Sequence, residues 1–310
     1  MFTCVSCGQL LTTQHTHLSE EDADKRAIDD LGRQAKRLSG PMATLTKARR
    51  DQLIAEVSAE KSFKTALNKA RRQLITTLEM ASVSQDPMLL LSFDDDQLLD
   101  LILRGGLGLA VEDFIDNQER IRSAIERSLE VIEPDFNLNN LPQLDLIQGQ
   151  AVAQVFEDII LPDTKRAVRD ALTSITLDIP ASVVFSDLNE RLKKSVGRQL
   201  TEVKTSISQY GRSINAAAAA AAGLENYLYT GPMDGLTRPF CVPLVNKVVT
   251  EKQMTRLNNG QGLAVKTSGG GYNCRHSWSP VSEGFIISAD LDRATQADIL
   301  AANSKRAKRR

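Results

Sequence analysis

The sequence predicts a mainly α-helical protein, with a long-helix N-terminal and central body and a small C-terminal α+β module. Three observations carry this. Apolar residues recur in steps of three and four over most of residues 43–80 and again from Leu188 to Ile214. Aromatic residues make up only 5% of the chain and β-branched runs are few, so a large β core is excluded. Beyond Gly223 the helical spacing stops, and valine-rich runs flanked by proline and glycine take over.

Taken in order, residues 1–18 hold a candidate zinc knuckle. Cys4 and Cys7 form C-x-x-C-G, followed by His15 and His17. Two thiolates converge across such a turn, the glycine permits the bend, and the H-x-H pair would close a tetrahedral set. So short a segment has no core of its own, and metal would be its main source of order. An incidental pair of thiols in a frayed terminus is the plainer alternative.

A helical domain is expected over 19–133. Ser19 with Asp22 caps its first helix, which Gly40-Pro41 ends. The next helix lines up Leu53, Ile54, Val57, Phe63, Leu67, Ala70, Leu74 and Leu78. Its other face carries Lys47, Arg49, Arg50, Lys61, Lys64, Lys69, Arg71 and Arg72, either a solvated face or a contact for acidic surfaces or DNA. Ser92 is expected to open another helix, with Asp94, Asp95 and Asp96 stabilised at its positive end rather than gathered for catalysis. Arg104-Gly105-Gly106-Leu107-Gly108 lacks the strand, lysine and spacing of a phosphate loop and reads as a kink before a helix reaching Ile132.

Residues 134–142 read as a linker and 143–228 as a helical stem. Two helical segments near 143–160 and 162–177 are separated at Leu161-Pro162. Then Leu188, Leu192, Val196, Leu200, Val203, Ile207, Tyr210 and Ile214 mark one long amphipathic helix that leads into Ala216–Ala222. In the module, 229–290, strands are expected over Phe240–Val249 and Gly284–Ile287, with a mobile loop over Asn258–Gly271 between them. Residues 291–310 give a short helix and a basic tail, where Lys305, Arg306, Lys308, Arg309 and Arg310 would hold phosphates or an acidic surface.

The chemistry-bearing residues crowd into T-G-P-M-D-G-L-T-R-P-F-C, from Thr230 to Cys241, and G-G-G-Y-N-C-R-H-S-W, from Gly269 to Trp278. Cys241, Cys274 and His276 offer two soft ligands and an imidazole, and Asp234 would complete a tetrahedral set. Buried thiols and a packed histidine are the alternative. Arg238 and Arg275 offer rigid forks of donors, suited to tying the two segments together through Asp234 or backbone carbonyls.

Composition narrows the function classes. Thirty-eight basic against thirty-nine acidic residues leave a net charge of -1, so any nucleic-acid contact is local. No stretch approaches the ~20 apolar residues of a membrane span, and the start carries no basic n-region or cleavage site. A cytoplasmic, reducing setting is expected, in which the four cysteines are thiols or ligands.

The pattern D-x-x-T-R-P-x-C followed by G-Y-x-C-R-H resembles the C-terminal signature of the phage Mu F-like head morphogenesis family, minor head proteins of tailed phages. The matching positions are Asp234, Thr237, Arg238, Cys241, Cys274, Arg275 and His276, and the resemblance covers roughly residues 200–282. It implies a non-enzymatic virion protein that joins portal and capsid proteins in the host cytoplasm, sits at or inside the head, and has a part in packaging or ejecting DNA. Asp234, Thr237, Arg238 and Arg275 would then form a structural latch. Two rival readings are a metal-dependent nuclease or toxin-like enzyme carried by the C-terminal module, and a virion DNA-binding protein. An enzyme would need a general base, and the chain has only three histidines, two of them in the N-terminal cluster.

Overall fold

The computed structural model describes residues 20–84, 87–134, 136–177 and 179–304, and helix dominates them. The predicted class holds: a mainly α chain with a small α+β region near its C-terminus. Eight helices come first: α1 (Glu20–Arg37), α2 (Gly40–Ser84), α3 (Pro87–Leu91), α4 (Asp95–Ile102), α5 (Gly108–Ile132), α6 (Leu144–Ala153), α7 (Leu161–Thr176) and α8 (Ala181–Ala221). Then follow β1 (Asn226–Thr230), β2 (Val248–Thr250), α9 (Glu251–Met254), α10 (Val265–Ser268), β3 (Ser277–Val281), α11 (Glu283–Ser288) and α12 (Gln296–Ser304). The described residues form two compact units, one drawn from within Met1–Ile54, Ala124–Leu138 and Asn215–Arg310, the other from within Ala55–Ser123 and Asn139–Ile214.

The second unit is helical. Its core centres on Phe63, Phe114 and Phe156, whose ring centroids lie 5.2 to 5.8 Å apart in tilted and edge-on pairs. Leu67, Leu74 and Leu78 from α2 and Leu188, Leu192, Val203 and Ile207 from α8 are buried, as their spacing requires. The stripe of α8 is interrupted once. Ser195 and Gln199 are buried where Val196 and Leu200 were expected, because Ser195 bonds the Asp163 carboxylate (3.0 Å) and Gln199 bonds the Ile159 carbonyl (2.8 Å). The expected kink lies at Leu103–Leu107, a π-helical stretch in which Gly106 takes φ 109°. The break expected at Leu161-Pro162 is absent: the π-helical stretch Gln154–Ile160 runs directly into α7, which carries Pro162 as its second residue.

Capping and charge refine two further expectations. Asp94, not Ser92, caps α4: its carboxylate accepts from the Gln97 amide at 2.8 Å, and the Gln97 side chain returns a bond at 3.0 Å. Ser92 bonds back to the Leu89 carbonyl instead. The basic side of α2 is no uniform solvated face. Arg49 is 1% exposed, and the Nε and Nη1 atoms of Arg71 are buried, whereas Ile54, expected in the core, is 38% exposed.

The first unit is built on a three-stranded antiparallel sheet in the order β2-β1-β3. Tyr227 pairs with Val249 and Pro280, and Tyr229 with Trp278. Alternation sends Tyr227, Tyr229 and Trp278 to one face with Phe240, Cys241, Leu244 and Cys274, and Leu228, Val248 and Val281 to the other with Met42, Leu45, Ile132 and Phe285. Both faces are therefore covered, and β1 is buried along nearly its whole length. Pro280 is tolerated because β3 is an edge strand.

Three expectations for this region change. Only the end of Phe240–Val249 is strand; residues 239–246 form consecutive turns that bond back on themselves, as in Val245 N to Cys241 O at 3.1 Å. Gly284–Ile287 belongs to α11, because the Ser282 hydroxyl caps the Phe285 amide. The loop over 258–271 is pinned, not open: Asn259 is 2% exposed and bonds the Leu263 and Gly269 carbonyls, and the Trp278 indole bonds the Val265 carbonyl at 2.9 Å. Among the described residues no helix is long and apolar enough to cross a membrane.

Two glycines test the helical unit. A Cβ at Gly106 would stand 2.5 Å from Gln73 Oε1 and 3.1 Å from Ala70 Cα, in a backbone conformation L residues avoid, so Gly106→Ala is expected to cost about 1–3 kcal/mol in chemical denaturation. Exposed Gly149 in α6 meets nothing within 4 Å, and Gly149→Ala is expected to gain roughly 0.5–1 kcal/mol. Equal effects of the two substitutions would contradict this account of the π segment.

Candidate metal centre and its latch

The segment after β1 turns on Asp234. Its carboxylate accepts the Leu236 amide at 2.9 Å, and its own amide donates to Thr237 Oγ1 at 3.0 Å. Thr237 Oγ1 donates to the Pro232 carbonyl at 2.8 Å and lies 3.2 Å from Asp234 Oδ1. This tight turn aims the carboxylate at Arg275. Arg275 Nη1 and Nη2 meet the two Asp234 oxygens at 2.7 and 2.9 Å, and Nη1 also donates to the Ala23 carbonyl of α1 at 3.0 Å. Both side chains are only 11% exposed. Parallel bonds from a planar fork to a carboxylate combine charge with fixed geometry, which a lysine would not supply.

Two further arginines hold the same segment. Arg49 Nη2 of α2 donates to the Arg275 carbonyl at 2.9 Å, and Arg238 Nη2 donates to the Tyr272 carbonyl. Met233 N bonds Asp30 of α1 at 2.8 Å. The two signature segments are thus tied to each other and to α1 and α2, all within the first unit.

Immediately beside Arg275 lie three ligand-type side chains. Cys241, Cys274 and His276 each offer one atom, all within 4.8 Å of one another, and all three residues are buried, at 0%, 4% and 2% exposure. The two sulfurs stand 3.9 Å apart, and Cys274 Sγ lies 3.8 Å from His276 Nδ1. The pair is not a disulfide, in which the sulfurs would stand about 2 Å apart. Thiolates bound tetrahedrally to one zinc ion would stand about 3.8 Å apart, and sulfur and imidazole nitrogen about 3.6 Å. The donor set and its spacing therefore fit a metal ion.

Tyr229 completes the surroundings. Its hydroxyl lies 3.3 Å from Cys241 Sγ and 3.5 Å from Cys274 Sγ, and its ring stacks on His276 with centroids 5.2 Å apart. The Gly270 amide donates to Cys274 Sγ at 3.2 Å. A Cβ at position 270 would come within 2.6 Å of Cys241 Sγ, so only glycine lets the backbone pass this close to the pair. The neighbouring Cys274 thiol and burial push the Cys241 thiol well above its ordinary pKa, and burial with the two cysteines does the same to the Tyr229 phenol. Metal binding here would displace thiol protons.

The structure separates residues that the sequence grouped. Asp234 is not part of the cysteine and histidine cluster, because its carboxylate is engaged by Arg275, Leu236 and Thr237. Cys274 and His276 precede β3 and do not lie on a strand. Tyr229, Gly270, Arg49 and the Ala23 carbonyl were not foreseen. The alternation in Tyr227-Leu228-Tyr229 was a strand signal that places the two tyrosines on one face. Cys4, Cys7, His15 and His17, and the tail from Lys305 to Arg310, lie outside the described residues.

The latch makes an acid-sensitive prediction. Burial raises the Asp234 pKa, but the Arg275 bonds and charge, the Leu236 amide and the Thr237 hydroxyl more than reverse this and hold it below the usual carboxylate value. A depressed folded value contributes stability that is complete above the unfolded pKa and lost as pH falls through the folded one. Stability measured from about pH 5 down to pH 2 should fall more steeply in the natural protein than in Asp234→Asn, which has no proton to gain there. At neutral pH, Arg275→Ala is expected to cost about 1–3 kcal/mol, since it leaves a largely buried carboxylate without its partner. Superimposable acid profiles for natural protein and Asp234→Asn would count against this role.

No protein-family model, no curated protein and no solved structure matches the chain, so its functional reading rests on these residues and their geometry.

Proposed function

We propose that this chain is a structural minor head protein of a tailed phage, which associates with portal and procapsid during head assembly in the host cytoplasm and remains in the virion head. Residues of the C-terminal module would serve as a stabilised docking element, and the protein would carry out no turnover. The observation that carries the reading is the mutual use of the signature residues. Thr237 and Arg275 both bond Asp234, and Arg238 and Arg49 bond carbonyls of the same segment. Such groups are spent on architecture. A catalytic constellation would instead point an acid, base or nucleophile at a space open to substrate.

Within this reading the Cys241, Cys274 and His276 cluster holds zinc in a structural role. Structural zinc sites are closed and their metal contributes directly to folding, whereas catalytic sites keep one position open to substrate. Three protein donors would leave one position of the metal unfilled by them, but all three are buried and the Tyr229 hydroxyl lies beside both sulfurs, at 3.3 and 3.5 Å, which supports a site shut off from substrate. The same burial disfavours the metal-dependent nuclease or toxin-like alternative.

Metal analysis of protein kept reduced throughout purification should find one zinc equivalent lost in Cys241→Ser/Cys274→Ser. A separate equivalent should be lost in Cys4→Ser/Cys7→Ser, if the N-terminal cysteines and histidines also hold zinc. Unchanged zinc content in the first variant would remove the C-terminal site. For assembly, the natural chain should copurify with portal or procapsid, and Asp234→Ala/Arg275→Ala should reduce its incorporation at least about tenfold, matching a lost coupling of roughly 1.4 kcal/mol or more. Metal-dependent cleavage of DNA or protein by the natural chain, abolished in a folded Cys274→Ser/His276→Ala variant, would replace the assembly reading with the enzymatic one.

A further inference from the structure

A cleft of about 740 Å³ runs between α1 and the start of α2 in the first unit. Its lining includes small residues such as Gly32 and Ala43, and it carries Arg33, Lys36, Lys47 and Arg50 against one lining carboxylate, Asp29. Arg33 is drawn toward Asp30 at 3.3 Å, but among the described residues Lys36 and Lys47 form no ion pair. Arg50 lies across Gly32, with Nε 3.4 Å from where a Cβ would stand. That Nε is buried and has no acceptor among the described residues.

Arg50 lines an open cleft beside two ammonium groups that form no ion pair, and the N–H groups of this set favour an anionic oxygen. The chain as a whole carries a net charge of only -1, so this surplus of cations is local. We propose that the α1–α2 cleft is a binding site for phosphate groups, with Arg50 as the directional donor and Lys36 and Lys47 as point charges. The site uses a different set of residues from the basic tail and does not depend on the head-assembly reading. Its phosphates could belong to a nucleic-acid backbone or to a free polyphosphate, and two probes separate these.

The full-length protein is titrated into a fluorescent 20-base-pair DNA duplex over a range of salt concentrations, and in parallel its melting temperature is followed with inorganic tripolyphosphate. Lys36→Gln/Lys47→Gln changes two exposed side chains and should leave the melting temperature without ligand unchanged. If the duplex is the phosphate source, this variant binds it about tenfold more weakly, and the slope of log affinity against log salt falls by about two, roughly 0.9 for each phosphate that is no longer neutralised. If free polyphosphate is the source, tripolyphosphate raises the melting temperature of the natural protein and the variant loses that shift. Arg50→Gln should weaken binding further, with Arg50→Lys recovering only part of it because the charge returns without the fork. The proposal is overturned if neither probe binds. It is equally overturned if binding is unchanged in the cleft variants and disappears only when Lys305, Arg306, Lys308, Arg309 and Arg310 are replaced by glutamine.

Discussion

The guanidinium of Arg275 is the point on which the first unit depends. The Arg275 side chain joins the turn at Asp234 and the first helix at the Ala23 carbonyl, and the backbone carbonyl of the same residue accepts from the buried Arg49 of α2. Each partner lies far away in sequence. The ion pair is mostly removed from water, so its value lies less in net stabilisation than in the penalty for leaving either charge alone. That penalty makes one arrangement of the segments far better than its neighbours. The residues flanking Arg275 inherit this precision, and they are Cys274 and His276.

Placement of the cysteines follows from the sheet as much as from the latch. β1 is central, and its alternation puts Tyr229 under the thiols while Leu228 faces the opposite cluster with Met42 and Phe285. Cys241 arrives from the turns that follow Pro239, and Cys274 from the stretch after three consecutive glycines whose amide at Gly270 bonds its sulfur. Two thiols, one imidazole and one phenol are thereby enclosed at contact distance without a cross-link between the sulfurs. In such a setting a metal ion would replace a weakly bonded pair of thiols with strong, directional bonds and would fasten the two segments at one point.

The helical unit reaches order by simpler means. Three phenylalanines from three regions meet in one tilted and two edge-to-face pairs, and long helices pack their apolar stripes around them. Its irregularities are local. A π segment absorbs the Gly105-Gly106 pair, and a second π stretch at Gln154–Ile160 runs directly into α7 with Pro162 in its first turn. The wider hydrogen-bond spacing of the π stretch, in which Leu161 N bonds Phe156 O, precedes Pro162, and the chain stays helical where composition alone suggests an interruption.

What the sequence by itself determined was whatever rests on neighbours a few residues apart. The helical stripes of α2 and α8, the kink at Gly105-Gly106 and the crowding of chemistry between Thr230 and Trp278 all follow from spacing along the chain. The tertiary structure decided everything that depends on partners from distant segments. It engaged Asp234 with Arg275 and left it outside the thiol cluster, it buried Arg49 against a backbone carbonyl, and it drew Ser195 and Gln199 inward toward Asp163 and Ile159. It also turned Gly284–Ile287 into a helix and made a strand of Ser277–Val281. Short segments have weak intrinsic preferences, so their conformation is set by the surface they must cover and the hydrogen bonds left to satisfy there.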